Sequence, residues 1–199
     1  MATPVGHYLL GLSITQMLAS NSTERRQALC LATIACIPDL DLIPGLVVGD
    51  LARFHHGASH SFAAAAIFSV AVLLLLKWRK GKLVVNFFLI SFVLYSSHIG
   101  LDFLTLDPGE PSGMPLFWPW SLETHQSSWP LLPHVQHSRA PIFSTHNFFL
   151  FIREILLFLP LVGLIQSLKI GHWPWPRTAS WLYGSWFVAA LCALAFSLR

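Results

Sequence analysis

LVVNFFLISFVLYSSHIGLDFL, residues Leu83 to Leu104, decides the fold. The stretch carries no Asp, Glu, Lys or Arg before Asp102. A helix needs about 20 predominantly apolar residues to cross a hydrocarbon core of roughly 30 Å, so this run predicts a transmembrane helix. An ionisable side chain in such a helix is costly unless paired, and marks a functional site by default. His98 and Asp102 are four residues apart, so they leave one face of the helix about a turn apart and can converge on one ion. The same spacing also suits a plain hydrogen-bonded couple.

The rest of the chain has the same character. It is 54% hydrophobic and 11% charged, with a mean hydropathy of +0.60, against about 25% charged residues in ordinary globular proteins. His146–Leu168 and Ala179–Leu198 are also long enough to span. Phe62–Leu76 becomes so if Lys77 and Trp78 extend it. Pro4–Ser20 is marginal, and Gln27–Ile37, closed by Pro38, predicts a half-length helix packed among the others. Between Asp107 and Thr145 stand Pro108, Pro111, Pro115, Pro119, Pro130, Pro133 and Pro141, so regular structure should lapse there. The Trp, Phe and Leu content of that loop favours an ordered cap at the membrane interface. The expectation is an all-α polytopic membrane protein of about four to six transmembrane or half-length helices. It forms one integral-membrane domain over 1–199: a core at about 1–120, a capping loop at 107–145 and a C-terminal helical hairpin at 146–199.

Charge placement predicts orientation. Arg25 and Arg26 follow the first segment, Lys77, Arg79, Lys80 and Lys82 follow the third, and Lys169 and Arg177 follow the fifth. The positive-inside rule makes that side cytoplasmic and puts both termini outside. Every metal-capable residue discussed below then reaches the extracytoplasmic face, as do Asp50, Asp107, Glu110, Glu123 and Glu154; Glu24 alone stays on the basic side. A net charge of +3, spread along the chain, gives no nucleic-acid footprint. Cys30, Cys36 and Cys192 sit singly in apolar stretches, which argues for packing rather than a disulfide framework or thiolate site. No Lys or Arg precedes the first apolar stretch and no small-residue cleavage signal follows it, so His7 is expected to be retained.

The metal-capable residues are His7, Asp39, Asp41, His55, His60, His98 and Asp102. Pro38-Asp39-Leu40-Asp41 places two carboxylates so close that they repel unless a cation lies between them or one is protonated; a solvated turn or helix cap is the alternative. In His55-His56-Gly57-Ala58-Ser59-His60-Ser61, Gly57 allows a sharp turn that faces both outer imidazoles inward, or Ser59 or Ser61 caps the following helix. Imidazole plus carboxylate without thiolate suits zinc, or manganese or iron. These donors exceed the three protein ligands of a typical catalytic zinc, so two ions sharing a carboxylate would use them.

The order of an N-terminal His, a PDLD turn, an H-x-G-x-[ST]-H-S-like segment and an H-x-x-x-D helix end resembles the bacterial inner-membrane metal-dependent hydrolase family, some members of which are described as LexA-binding. The likeness runs from His7 to about Trp120 and includes Gly113-Met114-Pro115-Leu116-Phe117-Trp118-Pro119. His56 stands where that family usually has Arg, and Ser59 where it usually has Thr. The ligand pattern is similar to that of the zinc-dependent phospholipase C and single-strand nuclease group. The resemblance therefore implies phosphoester hydrolysis on a helical fold with clustered metals in the bacterial inner membrane.

Metal-assisted hydrolysis is the expected mechanism, with a carboxylate of Asp39, Asp41 or Asp102 taking the proton. Arg139 and Arg153 are candidates for gripping a phosphate, or for contacting headgroups. His125, His134, His137, His146 or Glu154 could complete the coordination. A site at lipid depth beneath an aromatic loop suggests membrane lipid as neighbour and an amphiphilic phosphoester as substrate. The competing classes are a non-catalytic scaffold that binds a regulator and holds a structural metal, and a divalent-cation transporter.

Overall fold

Helix α1, Pro4–Leu18, begins where Thr3 caps Gly6 N–H and Pro4 occupies a first-turn position, where its missing N–H is harmless. In the computed structural model, which describes residues 1–50, 53–81, 83–109, 111–135 and 144–170, this short helix is the centre of an all-helical bundle. It packs against α6, Thr145–Ile170, against α2, Ser22–Leu31, and against α5, Val85–Phe103. Beyond His7, three of its buried polar side chains bond to backbone: Ser13 donates to Leu9 O, Thr15 to Gly11 O and Gln16 to Arg25 O.

The segment expected at Gln27–Ile37 is built differently. α2 starts earlier, where Asn21 accepts Glu24 N–H and Glu24 accepts Ser20 N–H, a reciprocal cap. It tightens into a 3₁₀ stretch at Ala32–Cys36. Pro38 does not end the element; it opens a second 3₁₀ turn, Pro38–Asp41, that runs into α3, Leu42–Val48. A proline is compatible with the first position of a helical turn, and the sequence alone does not distinguish that start from a stop. The two halves meet at 43°, the geometry of a broken span or a re-entrant loop.

α4, Phe62–Lys80, opens at Ser61, which accepts Ala64 N–H, and closes at left-handed Gly81. Lys77, Arg79 and Lys80 crowd its last turn, where cations complement the helix dipole. Ile67, Val70, Leu74, Leu75 and Trp78 are exposed on it, the arrangement of a helix whose outer face meets lipid. α4 pairs with α5. With α6, these two are long and apolar enough to cross a membrane, making three candidate spans, or four with the bent pair. The expected Ala179–Leu198 helix, with Arg177 and Cys192, lies outside the described residues.

Over its described residues the loop after α5 is irregular, as its prolines predict, and no strand occurs among the described residues. It folds back on α5: Ser127 N–H donates to Phe103 O and Leu131 N–H to Leu104 O, satisfying carbonyls that a helix end leaves open. Phe117, Trp120, Leu122 and Trp129 are exposed on it.

These directions give the bundle two unlike ends. The starts of α1, α4 and α6 and the end of α5 lie at one. Lys77, Arg79 and Lys80 lie at the other, where Lys169 ties α6 to the end of α1 through Ala19 O at 2.8 Å and Met17 O.

Candidate metal centre

Four side chains from three stretches of backbone meet at the first end. His7 comes from the first turns of α1, Asp39 from the Pro38–Asp41 turn, and His98 and Asp102 from the last turns of α5; each offers a ligand atom within 4.8 Å of the others, and all are buried. Asp102 and His98 are the helix-face pair, their Oδ2 and Nε2 3.0 Å apart. His98 Nε2 is 3.4 Å from Asp39 Oδ1, and His7 Nε2 is 3.3 Å from Asp102 Oδ1. The His7 ring stacks on His98 at 3.6 Å. With metal–nitrogen bonds of about 2.0–2.1 Å, the edge of a ligand tetrahedron is about 3.4 Å. The three separations of 3.0–3.4 Å are close to that edge.

His60 joins from the foot of α4. Its Nε2 is 3.1 Å from His98 Nε2, 3.6 Å from Asp102 Oδ2 and 3.8 Å from Asp39 Oδ1. It also belongs to a second group, with His55 and His56, whose ligand atoms again lie within 4.8 Å of one another. His60 therefore stands between the two groups.

Backbone and carboxylate partners aim the rings. His98 Nδ1 is 2.7 Å from Ala35 O, an acceptor only, so it carries the proton and leaves the Nε2 lone pair facing the cluster. Asp41 stands behind the histidines: Oδ1 accepts from His55 Nδ1 at 2.8 Å, and Oδ2 accepts from Ser59 Oγ at 2.6 Å and lies 3.2 Å from His60 Nδ1. Asp102 Oδ1 accepts Ala2 N–H at 2.7 Å, which pins the N-terminal residues over the site. Tyr95 donates to Ser59 O and holds the histidine turn to α5.

Asp39 is buried, so the Pro38–Asp41 turn is not a solvated one. In the histidine turn Ser61 caps α4 and His60 faces inward, while the left-handed residue that makes the turn is His56, φ 59°, rather than Gly57.

The electrostatics of the turn favour positive charge. Burial opposes charging His60, yet the carboxylates of Asp102 and Asp41 outweigh it and lift its pKa from 6.5 to about 9. Burial lowers His55 to about 3, against the pull of Asp41, and lowers His56 as well. Both rings are therefore neutral at physiological pH, with a lone pair to offer. Several buried atoms have no hydrogen-bond partner: both ring nitrogens of His7, both oxygens of Asp39, Asp102 Oδ2 and His56 Nε2. Leaving so many buried polar atoms unsatisfied is strongly unfavourable, and a divalent cation among them fits both their chemistry and their spacing.

Residues 1–198 match the YdjM inner membrane protein family. The chain belongs to that family. No curated protein and no solved structure matches it. Membership in the YdjM family and the apolar helices together establish a membrane location.

The other candidates in this YdjM-family chain are placed elsewhere. His125 stands edge-on to Phe117, and His146 Nε2 donates to His134 O. Glu154 binds the start of α1 through Thr3 and Gly6. Arg153 is half-buried on α6, about 100° round the helix from Glu154. Arg139 and His137 lie outside the described residues. Sequence reasoning passed over the Ala35 carbonyl and Ala2 amide, which carry no side-chain signal, and saw in His56 only a departure from the family pattern.

Proposed function

We propose that this protein is a membrane-embedded metal-dependent hydrolase acting on phosphoester bonds of an amphiphilic substrate, with its site at the extracytoplasmic face. The observation that carries the proposal is the convergence of His7, Asp39, His60, His98 and Asp102, buried and within a few ångströms of one another, with ring nitrogens of His7 and carboxylate oxygens of Asp39 and Asp102 left without hydrogen-bond partners. Those side chains would hold divalent cation, zinc first and manganese or iron next by donor type. Asp41 would hold the histidine turn in register. When bound, a divalent cation supplies Lewis-acid polarisation of a substrate oxygen and acidifies an attacking water.

The chain's own residues would do the rest. Asp39 Oδ2, buried and without a hydrogen-bond partner, is placed to accept a proton. The loop packed over the end of α5 keeps bulk water from the donors, and its exposed Phe117, Trp120, Leu122 and Trp129 suit the headgroup layer through which a lipid phosphate would enter. Arg153 remains the candidate for contact with that phosphate. Lys77, Arg79, Lys80 and Lys169 at the opposite end support a cytoplasmic assignment there.

A second reading, a scaffold with a structural metal, draws on the complete burial of His7, His60 and His98, since structural sites are closed and catalytic ones keep an open position. Metal analysis of the detergent-purified protein beside Asp39→Asn, followed by a phosphoester screen of both, separates the two. Metal-dependent phosphate release that disappears in the variant supports the hydrolase, and bound metal without turnover supports the scaffold. A protein that takes up no metal overturns both.

A further inference from the structure

His56 is absent from the donor set just proposed, yet its geometry is that of a ligand. Among the described residues it is the non-glycine with a left-handed backbone, φ 59°, a costly conformation that persists where the surroundings impose it and that clusters at functional sites. The strained turn swings its ring into the histidine group, 4.2 Å from the His55 ring and 5.0 Å from the His60 ring by centroid.

Its two nitrogens face different partners. Nδ1 is 3.1 Å from Asp107 Oδ2. Asp107 also accepts Gly109 N–H at 3.0 Å and Gly113 N–H at 2.9 Å. An ionised carboxylate only accepts hydrogen bonds, so Nδ1 carries the ring proton. Nε2 is left with its lone pair, buried, with no hydrogen-bond partner, and 3.9 Å from Asp102 Oδ2. A histidine whose far nitrogen is held by a carboxylate is the usual form of a metal-ligating imidazole.

Resting on the metal-centre reading above, we propose that His56, oriented by Asp107, completes a second cation position with His55 and His60, adjacent to the His7–Asp39–His98–Asp102 position and bridged to it by Asp102. The bridge follows from the distances: Asp102 Oδ2 lies 3.0 Å from His98 Nε2, 3.6 Å from His60 Nε2 and 3.9 Å from His56 Nε2. A carboxylate so placed touches both groups. The loop that carries Gly109 and Gly113 thereby reports to the site through Asp107, coupling the cap to the second ion.

The test is manganese(II) binding to the full-length, metal-stripped protein in detergent. Stoichiometry is read by elemental analysis, and ion pairing by electron paramagnetic resonance. Wild type should take two ions with a magnetically coupled signal. His56→Asn, which tolerates the left-handed backbone but is too short to reach the ion, should take one ion with an isolated signal. His98→Ala should lose the other position. Asp107→Asn should keep the fold and weaken the second ion by about 10- to 100-fold, and it decides the matter alone if His56→Asn fails to fold by circular dichroism. Two ions with unchanged affinity and coupling in His56→Asn and Asp107→Asn overturn the proposal. One ion in wild type, abolished by His98→Ala and indifferent to His56→Asn, overturns it while leaving the first position standing. No ion in wild type removes both.

Discussion

Glu154 of α6 accepts the amide hydrogen of Thr3 at 2.7 Å across 151 positions of sequence. The same carboxylate takes the Thr3 hydroxyl and, at 3.1 Å, Gly6 N–H. A buried acid thus caps the first turn of α1, where open amides and the positive end of the helix dipole favour an anion. His7 is the next residue after Gly6. Glu154 therefore positions a donor without touching the donor group.

Removing that cap should loosen His7. Glu154→Ala is expected to cost about 1–3 kcal/mol, because it strands buried amides, and to weaken metal binding. Glu154→Gln, which retains one acceptor oxygen, should lose less of each. Thermal unfolding and metal titration of the two variants check this, and equal effects would argue against the capping role.

Gly11 controls a second link. A Cβ there would lie 2.9 Å from Ala35 Cβ and 3.0 Å from Ala32 O, so α1 and the Ala32–Cys36 stretch touch through the missing side chain. Gly11→Val should push that stretch outward, carrying with it the Ala35 carbonyl that orients His98. The expected destabilisation is about 1–3 kcal/mol, with weaker metal affinity. Gly100→Ala on α5 meets nothing within 4 Å and should leave both unchanged; comparable losses in the two variants would refute the contact argument.

Asp39 and Asp41, two residues apart, have different stations. Asp39→Ala removes a donor and should abolish tight binding. Asp41→Asn removes only the carboxylate behind His55 and His60, so it should preserve ion count and reduce affinity by about 10- to 100-fold. Equilibrium dialysis measures both, and a lost ion in Asp41→Asn would place that residue among the ligands.

The pH dependence follows from His60. Its pKa is raised from 6.5 to about 9, with the Asp102 and Asp41 carboxylates overcoming the effect of burial. In metal-stripped protein the charged ring stabilises the fold fully below about pH 6.5, and that contribution is lost as pH rises through about 9. A cation must displace the proton, so metal affinity runs the other way, rising up to about tenfold per pH unit across that interval and levelling above it. Calorimetry in buffers of different protonation enthalpy should count about one proton released from His60 on metal binding near pH 7.5. Binding without proton release would contradict this charge state.

Orientation can be tested separately. Single cysteines at Lys80 and at Ser121, introduced after the native thiols are removed, should react with an impermeant maleimide from opposite sides of the membrane, Ser121 from outside. Labelling of both from one side would overturn the assignment.

How much of this was legible in the chain depends on the kind of interaction. The all-helical membrane architecture was, because hydrocarbon imposes long uncharged runs such as Leu83–Leu101 and leaves few other ways to satisfy backbone. The His98–Asp102 pairing was also legible, since helical geometry alone puts residues four apart on one face. The path through Pro38 into α3 was not, because a proline suits either a stop or the first turn of a new helix, and packing chooses. Nor could sequence separate Asp39, facing the donor group, from Asp41, facing the backs of the histidines. That distinction arises from where the 3₁₀ turn meets α5 and the histidine turn. The roles of Ala35 O, Ala2 N–H, Asp107 and Glu154 likewise belong to tertiary structure, since each depends on a partner at least 50 positions away, and only the assembled bundle sets such distances.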